Sequence, residues 1–381
     1  FEEARKFMRS NGAYDLAILT KVNGQNKIID ANMALVDLTV NGGQLTYYYE
    51  SSELTSRQYT YMDNRSSYGG VDAGLLDTGW SNAKGKWVAQ VRIANFTGWI
   101  PQEAYEIVPL TWLKSYSHYV VTNESIRHNY VSKIQNDFYL TGGNTIGPKP
   151  EMLSAGTYYS YDGHYFYNKL ETMMIDYKNN THMNAVNKDK PYYNYYMYLS
   201  NHTKTAYSSV NIDEYIRNNM GYNKDVYGHI ASDKTSRLYG SGTFFYYAQQ
   251  KYGVNAILSL SLSRNETGNG RSYLAINKNN GFGLNAVDSN PINGANWYAT
   301  FGSSIVGYAN KWITYGFAHP RDWRYFGPQF GDKWIGMNVK YASDTYWSEK
   351  MAANYYSLDK AFGLQDYNNY QSGVLTGKAQ A

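Results

Sequence analysis

The apolar residues of this 381-residue chain change their spacing near residue 205. Side chains return to one face of a strand every second residue and to one face of a helix every third or fourth. A change of period therefore divides what the two parts can become. Ahead of it, LAILTKV (16–22), MALVDLTV (33–40), QLTYYYE (44–50), KWVAQVRI (86–93) and YEIVPL (105–110) read as short strands. Turn clusters such as NGQN, NGG and SNAKGK separate them. GTYYSYDGHYFYN (156–168) alternates around Asp162-Gly163, a hairpin signature, and PYYNYYMYLS (191–200) has the same look. Beyond residue 205, runs at 210–221, 242–253, 302–316 and 343–363 carry helical spacing and stop at glycine, the last starting at Ser343 or Asp344. The residues thus divide the chain into a β module at 1–112, a Tyr-rich β module or linker at 113–204, and a mostly helical domain at 205–381.

Composition narrows the partners. There are 42 tyrosines, no cysteine, and only 17% charged residues, with a net charge of +4. The missing thiols exclude disulfides, thiolate metal sites and a cysteine nucleophile. A surface rich in amides, hydroxyls and phenols suits neutral polyhydroxylated ligands better than nucleic acid, where phosphate contacts from Lys and Arg dominate. The mild positive charge permits attraction to anionic polymers. No apolar run approaches the length of a membrane span. The seven histidines show no HExxH spacing, and no metal or other cofactor is expected.

One segment carries chemistry. In SLSLSRNETGNGRSYLAINKNNGFGLNAVDSNP (259–291), Glu266 follows an apolar run and precedes a Gly-rich turn. A carboxyl there is placed to stay protonated near neutral pH and to donate to a leaving oxygen; a local cap or ion pair is the structural alternative. The run before it, NAILSLSLSRNE (255–266), fits both a strand and a helix.

The NETGNG turn, the following INKNNGFGLNAVD and the later GMNVKYASDTYW resemble the catalytic region of glycoside hydrolase family 73, bacterial endo-β-N-acetylglucosaminidases of autolysin type. The resemblance covers about 205–370. It implies a small lysozyme-like, mostly α catalytic domain with a small β-lobe, preceded by all-β SH3-like modules, in an α+β multidomain chain. It makes 254–265 a helix and Glu266 the general acid that cleaves peptidoglycan after N-acetylglucosamine. For the second group it leaves two options: Asp288 as base or electrostatic support, or attack by the substrate's own acetamido group, oriented by Asp288 or Tyr298. Tyr298 matches an aromatic beside the acid; Trp323, Phe326, Trp334, Tyr341 and Asp344 are the further sugar-binding candidates. A monomer, secreted or on the surface of a Gram-positive cell, acting on wall glycan with no nucleic-acid partner and no membrane span, is what this implies. A wall-binding protein without activity, a muramidase and a lytic transglycosylase are the alternatives.

Overall fold

The computed structural model describes residues 1–22, 24–65, 70–135, 140–220, 236–285 and 294–370. They gather into two compact units. The first takes residues 1–193 and 331–347, the second 194–330 and 348–381. The first unit thus holds the β module read at 1–112 and the Tyr-rich segment only as far as 193, its remainder, 194–204, falling in the second unit. The first unit also holds 331–347, which falls inside the segment read as helical.

In the first unit α1 (Glu2–Asn11) leads into β1 (Ala17–Val22), β2 (Gln25–Ala31), β3 (Ala34–Asp37), β4 (Leu45–Tyr48) and β5 (Thr60–Asp63). Then come β6 (Asp72–Ser81), β7 (Lys86–Ile93), β8 (Phe96–Pro101) and β9 (Glu106–Pro109). An antiparallel sheet of order β8-β7-β6-β3-β9 forms its centre, with β1-β2 and β4-β5 as separate hairpins. Its inner face buries Ala73, Leu75, Val91, Ile93, Phe96 and Ile107, and Tyr346 joins that core. A second sheet, β12-β11-β10-β13, uses β10 (His118–Val121), β11 (Ser125–Val131), β12 (Leu140–Pro148) and β13 (Gly156–Tyr158).

Two β expectations fail. Residues 170–178 form a helix, α2 (Leu170–Lys178), because Leu170, Met173, Met174 and Tyr177 repeat at helical spacing and all are buried. PYYNYYMYLS is not a strand either. Asn194 accepts hydrogen bonds from the Tyr196 and Met197 amides and caps α3 (Tyr195–Tyr198), the first element of the second unit. The Asp162-Gly163 turn does form. Asp162 Oδ1 accepts from Ser160 Oγ and from the amides of His164 and Tyr165, and Tyr159 pairs with Tyr167 across the turn.

The second unit continues with α4 (Ser209–Asn219), α5 (Gly242–Tyr252), α6 (Ala256–Glu266), α7 (Tyr273–Lys278) and α8 (Phe301–Gly307), which runs on in π-type turns over Tyr308–Phe317. The last helix is α9 (Trp347–Ala361). Ser208 and Asn211 form a reciprocal capping box at α4, and Thr300 with Ser303 does the same at α8. The expected β-lobe has no strand among the described residues between α7 and α8. The chain is thus β-rich in its N-terminal part and helical in its C-terminal part, and none of its described helices is long and apolar enough to cross a membrane.

Candidate active site

Helix α6 is what holds Glu266. Asn255 caps it, its Oδ1 accepting from the amides of Ile257 and Leu258 at 2.9 and 3.0 Å. Every residue from Ala256 to Ser263 is buried. Burial of Ile257, Leu258, Leu260 and Leu262 contributes about 1.5–3 kcal/mol each. The intervening serines face the interior as well. Ser263 Oγ donates to the Gly281 carbonyl at 2.7 Å, tying the helix to the loop after α7. Arg264 locks the last turn, donating to Asn269 Oδ1, Tyr215 Oη, Ser357 Oγ and the Asn354 carbonyl. Glu266 is the final helical residue and is half-buried.

The NETGNG turn stops the helix there. Thr267 is buried, its Oγ1 donates to the Ser263 carbonyl, and it accepts from the Gly270 amide at 2.7 Å. Gly268, Asn269 and Gly270 follow with φ of 54°, 59° and 80°, the left-handed region that glycine and asparagine tolerate best. At Gly270 the need is also spatial, since a Cβ would lie 2.5 Å from Ser236 Oγ.

A second loop, 279–284, comes up beside the acid. Asn280 is fully buried and satisfies it internally. Its Nδ2 donates to the carbonyls of Leu284 (3.0 Å) and Asn296 (3.1 Å), and its Oδ1 accepts from the amides of Phe282 (3.3 Å) and Leu284 (3.1 Å). This clamp sets Gly283 (φ 62°) so close that a Cβ there would sit 3.5 Å from Glu266 Oε2. The Phe282 ring stacks on Tyr308, centroids 4.0 Å apart and planes 5° from parallel. Tyr308 is fully buried, and its Oη has no hydrogen-bond partner among the described residues. Burial and the negative charge of Glu266 push its phenol well above the usual range. It opens the π-type turns after α8, a local irregularity that recurs at functional sites.

Of the residues expected from sequence, Tyr298 stands on the frame of this loop. Its amide donates to the Lys278 carbonyl at 2.9 Å, and its Oη accepts from Asn296 Nδ2 at 3.4 Å. Trp323 is 66% exposed and Phe326 half-buried, both in the second unit. Trp334, Tyr341 and Asp344 belong to the first unit. There Trp334 stacks on Tyr59 (5.0 Å, 14°) while remaining 44% exposed, and Tyr341 stacks on Trp347 at 4.7 Å. Asp344 Oδ1 accepts from the Tyr346 amide just before α9, which starts at Trp347 instead of 343. Asp288 lies outside the described residues. Sequence reasoning passed over Asn280, Gly283 and Tyr308. The doubled asparagine in NKNNGFG was the available signal for the clamp; Tyr308 was indistinguishable from other helical aromatics. No group of three His, Asp or Glu among the described residues could hold a metal ion.

Two Streptococcus pneumoniae proteins (serotype 4 strain TIGR4 and strain R6), named provisionally as endo-beta-N-acetylglucosaminidases, are 30% identical over 224 residues, 55% of this chain. That is 31% and 29% of their own length, so the chain spans about a third of the relatives it matches. Among solved structures, S. aureus autolysin E is 24% identical, covering 44% of this chain and 73% of that one with a TM-score of 0.33; one structure is a catalytic mutant with the disaccharide NAG-NAM. The family model described as "Glucosaminidase: Mannosyl-glycoprotein endo-beta-N-acetylglucosaminidase" matches residues 242–360, from the first residue of α5 nearly to the end of α9. Residues 242–360, which include Glu266 and the loop packed beside it, are therefore the part of the chain that is similar to the glucosaminidase family.

Proposed function

We propose that the chain is a peptidoglycan hydrolase, an endo-β-N-acetylglucosaminidase with Glu266 as its general acid. The observation that carries this reading is a half-buried carboxyl on the last turn of a helix buried from Ala256 to Ser263, inside the family-matched segment, with Gly283 leaving space at its Oε2. A helix ends in partial negative charge, which a proton on Glu266 relieves. The acid then protonates the glycosidic oxygen as the sugar passes through an oxocarbenium-like state. Positive charge developing on the ring is stabilised by the carboxylate left behind. The second group is Asp288 or the substrate's acetamido oxygen. An inverted product anomer assigns a base acting through water, and a retained one assigns covalent or acetamido participation.

Tyr298 contacts the sugar beside the acid, and Trp323 and Phe326 stack on further rings in this reading; Trp334, Tyr341 and Asp344 are proposed as more distant sugar contacts. The helical region takes the lysozyme-like arrangement, and residues 1–112 are an SH3-like accessory module followed by the Tyr-rich segment 113–204. The enzyme works as a secreted or surface-bound monomer on the wall of a Gram-positive cell, where its charge also favours anionic wall polymers.

The test is Glu266→Gln. Zymogram clearing and muropeptide release should fall about 10²–10⁴-fold, with the melting temperature unchanged. Products of the parent enzyme should end in reducing N-acetylglucosamine. Clearing by the variant at the parent rate overturns the assignment of Glu266; a reducing muramic end or an anhydro end points to a muramidase or a lytic transglycosylase instead.

A further inference from the structure

The first unit holds a cleft that the chemistry at Glu266 does not use. It lies among α1, β6, β7, β8 and α2, has a volume of about 690 Å³, and is lined by three cations, Arg9, Arg92 and Lys178, against one carboxylate, Asp77. That carboxylate is already engaged, since Arg9 Nη2 lies 2.9 Å from Asp77 Oδ1. The other two cations have no carboxylate of their own among the described residues. Arg92 spends only its Nε, on Thr97 Oγ1 at 2.9 Å, while its guanidinium sits over the Tyr177 ring with Cζ 4.5 Å from the centroid. Its terminal nitrogens keep their protons free for another acceptor. Lys178 Nζ donates once, to the Ala31 carbonyl at 2.8 Å. Burial brings its ammonium down to about 8, a cost that an incoming anion would relieve. Gln90, Asn179 and Asn180 line the same cleft with amides that make no side-chain hydrogen bond among the described residues.

Two kinds of unspent capacity therefore face one space. A stacked guanidinium offers the planar fork that matches a carboxylate, and a half-buried ammonium adds a point charge. Amides both donate and accept, as hydroxyl groups require. The volume is in the range of small-molecule sites. We propose that this cleft binds an acidic saccharide, its carboxylate held by Arg92 and Lys178 and its hydroxyls by Gln90 and Asn180. The site would hold the chain on an acidic glycan whether or not Glu266 turns a bond over.

The experiment uses the full chain carrying Glu266→Gln, so that no sugar is hydrolysed and failure of the hydrolase reading cannot pass for failure of this one. Calorimetric titration compares N-acetylmuramic acid with neutral N-acetylglucosamine and with glycerol 3-phosphate. The acidic sugar should bind at least tenfold more tightly than the neutral one, and the advantage should shrink as salt rises. Lys178→Met should remove most of it. Asn180→Gly, on an exposed residue whose left-handed φ of 50° glycine also tolerates, should weaken binding of the acidic sugar about threefold. Equal binding of the two sugars, or an acid preference unchanged in both variants, overturns the proposal. Tighter binding of glycerol 3-phosphate than of the acidic sugar also overturns it, and reassigns the cleft to a phosphodiester polymer.

Discussion

Within the helical unit, two places set tyrosine against a buried or half-buried carboxylate, and they are wired in opposite ways. Asp359, fully buried on α9, accepts from Tyr196 Oη at 2.8 Å, from Tyr207 Oη and from the Asp366 amide at 2.9 Å. Asp366 accepts from Tyr355 Oη and the Ala206 amide, both at 2.7 Å, and from Thr205 Oγ1; burial pushes its carboxyl up. Here the phenols spend their protons on the acids, and the cluster ties the entry to α4 onto α9. At Glu266 the nearby phenol, Tyr308, is just as buried but has no hydrogen-bond partner among the described residues. Leaving a buried hydroxyl unsatisfied costs about 1–3 kcal/mol. The same two residue types thus give a clamp where they close on each other, and a site with polar capacity in reserve where they do not.

Four experiments press on that contrast, after the loss of hydrolysis already expected of Glu266→Gln. Asp359→Ala should be the most damaging to the fold, about 3–5 kcal/mol, because it strands two phenols and an amide; urea denaturation reads this directly. Asn280→Ala should cost about 2–3 kcal/mol by the same logic. It should also lower the hydrolytic rate, since the loop would no longer hold Gly283 against the acid; a stability loss at full activity would detach the clamp from the site. Third, Tyr207→Phe should lose about 1 kcal/mol while Tyr308→Phe loses none. Equal losses in thermal melts would mean that Tyr308 is bonded after all, and the contrast would collapse. The smallest effect is a pH trend at Lys333 in the β-rich unit. Its ammonium is fully buried, donates to the carbonyls of Tyr61, Asn338 and Ala342, and is brought by burial to about 7. Between pH 7 and about 10 the unfolded chain holds a proton there that the folded chain has given up, so stability rises with pH over that window. Urea midpoints from pH 7 to 10 should rise more for the parent chain than for Lys333→Met.

How much of this was legible depends on whether a helix has a wet face. Helices α4, α5 and α9 do, and their 3.6-residue spacing marked them, although α9 starts four residues late because Asp344 folds its side chain onto the Tyr346 amide first. Helix α6 has none over Ala256–Ser263, so its serines sit inside and the LSLSLS run mimics a strand; only the family resemblance decided it. At 191–200 the tyrosines look like a strand face, but one cap, Asn194, turns them into a helix. The acid itself could be read, because a glutamate before a Gly-rich turn is a local pattern. Asn280 was harder to read, because its clamp bends a local loop back onto itself and reaches Asn296 as well, and Tyr308 could not be read, because nothing in its spacing sets it apart from other helical aromatics.

The stretch 331–347 carries a consequence for how the chain is made. It belongs to the β-rich unit, where Tyr346 stacks on Tyr130 at 4.8 Å and Lys333 is bonded to the hairpin residue Tyr61. Synthesis on the ribosome runs from the N-terminus, so this unit stays short of a piece of its own core until most of the helical unit has already emerged. The earlier-made of the two units is thus completed only late, and ending the chain at residue 193 would deliver a β-rich fragment with a hole where Tyr346 belongs.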